Sequence, residues 1–187
     1  VQRTVKKFSF CSPEQRKEDI EKKTNQITII KITSLCPNHF QTISYISFLV
    51  FSTKYRTPFL HGGIRDRMFA YMGGICNQFE SCPIIIGGYT DHVHLLVNLS
   101  RKIALMKFVE EVKTHSSRWV KTVDEQCTDF YWQHGYAGFS VDKTSIERIK
   151  NYIANQQKHH EIKEFQNEFR ALLDEHDMEY DERYMWD

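Results

Sequence analysis

From Gln41 onward the hydrophobic pattern alternates between strand-like and helix-like segments. Ser44–Ser52 (SYISFLVFS) is rich in β-branched and aromatic residues and predicts a buried strand. Tyr55-Arg56-Thr57-Pro58 and His61-Gly62-Gly63 punctuate the connection that follows. Ile64–Gln78 places apolar residues at 64, 68, 71, 72 and 75, one stripe of a helix. Cys82–Tyr89 (CPIIIGGY) predicts a second strand, Thr90-Asp91 a turn, and His92–Leu99 (HVHLLVNL) a third strand hairpinned to the second. Ile103–Val123, apolar at 105, 108, 109, 112, 119, 120 and 123, predicts a long helix. Phe130–Val141 reads as strand-like pieces around a loop. Ser145–His160 predicts another helix with Thr144 or Ser145 as its N-cap, and Phe165–Glu175 a last one.

The order is β-α-β-β-α-β-α-α. Its first six elements predict an α+β fold: a ferredoxin-like, split βαβ antiparallel sheet with helices on one face. The later helix carrying Tyr152 is added to that layer. Residues 1–40 show no packing periodicity apart from Asn25–Thr33, which could form a short strand. They read as an N-terminal appendage, or an over-extended start, ahead of one domain spanning 41–187.

Composition fits that reading. Apolar residues make up 41% of the 187 and charged residues 26%, ordinary for one globular domain. No apolar run approaches the roughly 20 residues of a membrane span, so no membrane partner and a cytoplasmic location are expected. Five cysteines, odd in number and without a C-x-x-C pair, argue against a disulfide framework and a Cys-type zinc site. The net charge of +1 conceals a gradient. Residues 41–160 hold 14 basic and 10 acidic residues, whereas the tail 161–187 holds 3 and 10. A nucleic-acid partner suits the middle of the chain and not the tail.

Two short motifs carry candidate chemistry. In Asp91-His92-Val93-His94 the two histidines share one face of a strand, about 7 Å apart along it. That spacing suits two ligands of one divalent cation; two half-exposed strand histidines are the alternative. In Tyr152-Ile153-Ala154-Asn155-Gln156 the tyrosine and the glutamine stack at i and i+4 on a helix. Read alone, such a tyrosine is as compatible with packing as with catalysis.

Taken together, the blocks resemble a known family. They are Val50-Phe51-Ser52-Thr53-Lys54-Tyr55-Arg56 with Pro58-Phe59-Leu60, then Gly87 to Leu96, Lys113 to Trp119, Phe130 to Tyr136, and Tyr152 to Gln156. In this order they are similar to the single-tyrosine transposases of insertion sequences, within the HUH endonuclease superfamily. The resemblance implies that His92, His94 and Gln156 bind Mg²⁺ or Mn²⁺ and that Tyr152 is the nucleophile. A phenol has a reference pKa near 10 and needs activation to attack. The product would be a 5′-phosphotyrosine and a free 3′-OH on single-stranded DNA with hairpin ends. The resemblance also implies a homodimer in which the Tyr152 helix acts in cis or is lent to the partner, with the stretch from Ala137 to Thr144 as a hinge.

DNA contacts are expected from Lys54 and Arg56 after the first strand, and from Lys113, His115, Arg118 and Trp119 on the long helix. Trp132, with Tyr131 and Tyr136, offers stacking surface for unpaired bases. Two other readings stand beside this one. One is a domesticated transposase acting on repetitive extragenic palindromes. The other is a non-catalytic, ferredoxin-like nucleic-acid-binding module.

Overall fold

A computed structural model describes residues 45–156, 165–175 and 178–180. Residues 1–40, residues 157–160 and Tyr184, Met185 and Trp186 lie outside the described residues. The helix expected over Ser145–His160 ends earlier than expected, at Ala154 with Asn155 as its C-cap. The elements are β1 (Tyr45–Ser52), α1 (Gly62–Gln78), β2 (Cys82–Gly88), β3 (His92–Leu99), α2 (Leu105–Val123), β4 (Ala137–Ser140), α3 (Ile146–Ala154) and α4 (Phe165–Glu175). Short 3-10 turns occupy Lys54–Arg56 and Glu125–Cys127.

The four strands form one antiparallel sheet in the order β2-β3-β1-β4. Each of the two crossovers, β1-α1-β2 and β3-α2-β4, straddles a strand of the other. This is the split βαβ arrangement that the element order predicts. The two crossover helices pack on one face.

That face is apolar throughout. Leu49 and Phe51 of β1, Ile86 of β2 and Val93, Leu95 and Val97 of β3 meet Ile64, Met68, Met72 and Ile75 of α1 and Phe108, Val109 and Val112 of α2. In α2 the buried line at 108, 112, 116 and 120 includes a serine. Ser116 is tolerated there because its hydroxyl donates to the Val112 carbonyl at 2.6 Å and accepts from Trp132 Nε1 at 2.9 Å.

The opposite face is covered too, by α3 and α4. Ile153 of α3 and Leu173 of α4 sit against Ile46, Phe48, Val50, Ile85, Leu96 and Phe139. The fit between α3 and the sheet depends on Gly87, because a Cβ there would lie 2.6 Å from Ile153 Cγ2 and 3.0 Å from its carbonyl oxygen. Gly88, with φ of 149°, forms the tight entry to the β2–β3 turn, where a Cβ would collide with the His92 carbonyl.

Three sequence expectations shift. α1 begins at Gly62, so Gly62 and Gly63 form its first turn instead of the connection before it. Ser145 is the N-cap of α3, as expected, but its side chain makes no cap hydrogen bond. Asp142 instead holds the turn leading into the helix, accepting from the hydroxyls of Ser145 and Thr144 and from the backbone N–H of Thr144 at 2.8 Å and of Ser145 at 3.2 Å. These bonds hold its carboxyl far below the usual range. The proposed hinge is also shorter than expected. Ala137–Ser140 is hydrogen-bonded to β1 as β4, which leaves only the Asp142 turn to flex.

Candidate active site

The antiparallel register puts Ser52 opposite His92, and Val50 and Gly87 opposite His94. Strand alternation turns both imidazoles toward α3, away from α1 and α2. The alternative of two half-exposed strand histidines is corrected here: His92 is 0% and His94 1% exposed. The physical reason is α3, which the glycine at 87 allows to descend onto them. His94 is sandwiched by rings, stacked on Phe48 at 5.6 Å and 11°, with Tyr152 edge-on at 5.4 Å and 85°. His92 lies 5.0 Å from His94, nearly perpendicular to it.

Tyr152 itself is half-buried and meets Phe48 edge-on at 6.1 Å. Gln156, just past the Asn155 C-cap of α3, is 1% exposed. The structure thus brings His92, His94 and Tyr152 together. Beside Tyr152 a cavity of roughly 390 Å³ opens between β1, β4, α3 and α4. Phe48, Phe139 and Leu172 give it apolar walls, and Arg148 and Asp142 add charge.

Asp91 is part of the site although sequence reasoning treated it only as a turn. Its Oδ1 accepts from His92 Nδ1 at 2.8 Å, and its Oδ2 accepts from Arg56, at 2.9 Å from Nε and again from Nη2. Burial pushes the Asp91 carboxyl upward, but the bonds and charges of His92 and Arg56 outweigh it, and the net shift is below the ordinary carboxylate value. An ionised Asp91 fixes the proton of His92 on Nδ1. The lone pair on Nε2 is then the one presented to the site. A carboxylate immediately before an H-x-H was the available signal.

Arg56 reaches Asp91 through a strained turn. Tyr55 and Arg56 both have φ of 55°, a left-handed conformation unusual for such side chains. The turn is pinned by Thr53 Oγ1 to the Thr57 carbonyl at 2.8 Å and by Lys54 N–H to the Tyr131 carbonyl at 2.8 Å. Arg56 is thus a positioning residue for Asp91. Lys54, beside it, lies over the exposed Tyr55 ring at 5.0 Å.

The other DNA candidates are on the far face of the sheet. Lys113 points its ammonium at the carbonyls of Gln133, His134 and Gly135, at 2.9, 3.2 and 2.6 Å, which matches its three N–H donors. Burial pulls that ammonium down to about 8. Trp132 is core, edge-on to Phe51 and Phe130. Trp119 stacks on Tyr71 at 4.8 Å, His115 pairs with Glu111 at 3.1 Å, and Arg118 is exposed. Tyr131 and Tyr136 are exposed along α2, where they line a groove with Met106.

The donor set fits a divalent cation. Two imidazoles, one with its tautomer set by Asp91, converge with nitrogen donors, and the Gln156 amide is buried just past the end of α3. A centroid separation of 5.0 Å is what two adjacent ligands of one ion need, given metal–nitrogen bonds of about 2.1 Å.

No curated protein matches the chain. A solved candidate transposase from Deinococcus radiodurans R1 shares its fold at 22% identity and a TM-score of 0.51, covering 64% of this chain and 95% of its own. A REP-associated tyrosine transposase bound to a REP hairpin aligns at 12% identity and a TM-score of 0.48, over 66% of this chain and 74% of its own. The family model for IS200-like transposases matches residues 41–156, the whole stretch from the approach to β1 to Gln156. The chain belongs to the IS200-like transposase family.

Proposed function

We propose that this transposase cleaves and rejoins single-stranded DNA at hairpin-bearing ends, with Tyr152 as nucleophile and His92, His94 and Gln156 as ligands of Mg²⁺ or Mn²⁺. The observation that carries the reading is the convergence of one phenol and two imidazoles on the α3 face of the sheet. When bound, the cation would act as a Lewis acid on the scissile phosphate and as a template for it.

The residues divide the remaining work. Arg56 holds Asp91 ionised, and Asp91 holds His92 in the tautomer a ligand needs. Phe48 and Tyr152 hold His94 between rings, so both imidazoles are set before substrate arrives. The Tyr152 oxygen attacks phosphorus, its proton passes to solvent, and the 3′ oxygen of the flanking nucleotide leaves as the free hydroxyl. A tyrosine–phosphate bond replaces the broken phosphodiester, so a second strand's 3′-OH can reverse the step without a nucleotide cofactor.

A non-catalytic module would use an open sheet face for bases. Here α3 and α4 cover the face that carries the histidines, which favours the enzyme. The tentative DNA contacts divide accordingly. Lys54 lies beside the site, and Arg118, Tyr131 and Tyr136 offer a second track along α2.

We place the protein as a homodimer. Within one chain α3 lies on its own sheet, so Tyr152 is arranged to act in cis. Trans action would require the Asp142 turn to open.

The test compares a single-stranded hairpin end with its duplex form, each with Mn²⁺ and with chelator. Cleavage confined to the single strand with metal supports the reading; equal cleavage of the duplex, or cleavage in chelator, overturns it. Mixing Tyr152→Phe with His92→Ala protein decides the geometry. Cis action leaves every mixed site defective, whereas trans action restores cleavage with the adduct on the His92→Ala chain.

A further inference from the structure

A second group of metal-ligating side chains lies among the connections of α1 and α2. His61 immediately precedes α1, Asp124 immediately follows α2, and Cys127 ends the 3-10 turn after it. One donor atom from each lies within 4.8 Å of the other two. Among the described residues, no other group of His, Cys, Asp and Glu converges in this way. The sequence conceals the cluster, because His61 is more than 60 residues from its two partners and the lone cysteine has no C-x-x-C mate.

The three side chains are already oriented. Asp124 Oδ1 accepts from the Gln126 N–H at 2.9 Å, which turns Oδ2 toward His61 Nε2, 3.1 Å away. The Cys127 sulfur is buried and lies 3.9 Å from the Phe59 carbonyl. His61 is half exposed, so the cluster has an open side for entry. Burial first, and the Asp124 charge second, push the Cys127 thiol up, so without a cation it keeps its proton.

We propose that His61, Asp124 and Cys127 bind one thiophilic divalent cation of the Zn²⁺ class, separate from the His92–His94 site. Imidazole nitrogen, carboxylate oxygen and thiolate sulfur are the zinc donor set, at about 2.0–2.3 Å from the ion. Donors around a tetrahedral ion lie about 3.3–3.8 Å apart, so the present spacing closes with shifts of about 1 Å or less. Binding forms three metal–ligand bonds and releases the Cys127 proton to solvent. His61 changes from donor toward Asp124 to lone-pair ligand, and water takes the fourth position. The 2+ charge is balanced by thiolate and carboxylate. The ion's role would be structural, joining the start of α1 to the end of α2 and fixing the chain that runs from the Arg56 turn into α1.

Co²⁺ titration of the full, chelator-stripped protein in a non-thiol reductant tests this, because only thiolate ligation gives a sulfur-to-cobalt charge-transfer band in the near ultraviolet. The His92–His94 site has no sulfur and is silent in that band. The band should saturate at one equivalent, vanish on adding Zn²⁺, persist in His92→Ala and be absent in Cys127→Ser. His61→Gln, a half-exposed change that spares the core, should weaken Co²⁺ binding at least about tenfold, and this decides the matter if Cys127→Ser does not fold. No band in the wild-type protein, a band that survives in folded Cys127→Ser, or unchanged affinity in His61→Gln overturns the proposal.

Discussion

The two faces of the sheet are built from the same strands but differ in kind. Under α1 and α2, β1 and β3 contribute Leu49, Phe51, Val93, Leu95 and Val97, and the packing is apolar. Under α3, the alternate residues of those strands include Ser52, His92 and His94, with Tyr152 edge-on to His94. One face gains stability from burying hydrocarbon. The other interrupts its hydrocarbon with buried polar groups, each of which costs stability unless it finds a partner. Proteins accept that cost where the groups are used, and here the two fully buried imidazoles of the face belong to the candidate site.

The largest effect that would break the contrast is removal of an imidazole. His92→Ala or His94→Ala should reduce metal-dependent cleavage to background. Because both rings are buried, each change should also cost about 1–3 kcal/mol, read as a lower midpoint in urea. Full stability with lost cleavage would mean that the rings are not packed as described.

Gly87→Val comes next. Its side chain would strike Ile153, so α3 should lift and cleavage should fall at least about tenfold. Hydrogen exchange should quicken in α3 and stay unchanged in α2. Equal loosening of both helices would contradict the independence of the two faces.

Asp91→Asn should weaken metal binding by about 10–100-fold, measured by calorimetry. It also has a pH signature. The Asp91 carboxyl is lowered in the folded state, so it contributes stability above its unfolded value near 4, and that contribution is lost as pH falls through the folded value. Wild type should therefore lose more stability than Asp91→Asn between about pH 5 and pH 2.

Gln156→Ala should weaken metal binding less than either histidine change, because a neutral amide is the poorest of the three ligands. A loss equal to that of the histidines would mean that Gln156 also positions DNA. The smallest expected effect on cleavage lies on the other face. Val112→Ala should cost about 1–2 kcal/mol of stability and leave metal affinity unchanged.

Much of this was legible because two periods were strong. Alternation in His92–Leu99 separated Val93, Leu95 and Val97 from the histidines, and the helical period placed Tyr152 and Ile153 on an amphipathic helix. Long-range facts were not legible. The burial of His92 and His94 depends on where α3 returns, and nothing in H-x-H encodes that. Trp132 was read as a stacking platform because aromatic content does not distinguish core from surface; its place under Phe51 and Ser116 follows from the Thr53–Trp132 bridge. Lys113 was read as a phosphate ligand because its three carbonyl partners lie some 20 residues downstream. Residue preference placed the α3 N-cap at Ser145 correctly, but not the Asp142 side chain that holds the turn before it, which lies just far enough back to reach the Thr144 and Ser145 N–H groups.

The central claim is that Tyr152 on the α3 face becomes covalently joined to DNA. The most direct measurement is to incubate the full chain with a single-stranded hairpin substrate and Mn²⁺, digest with protease, and locate the nucleotide adduct by mass spectrometry. The account predicts a 5′-phosphate adduct on the peptide containing Tyr152, absent from Tyr152→Phe protein that keeps its fold and its metal affinity. An adduct on another residue, or none from folded, metal-loaded protein across a range of hairpin-bearing ends, would contradict it.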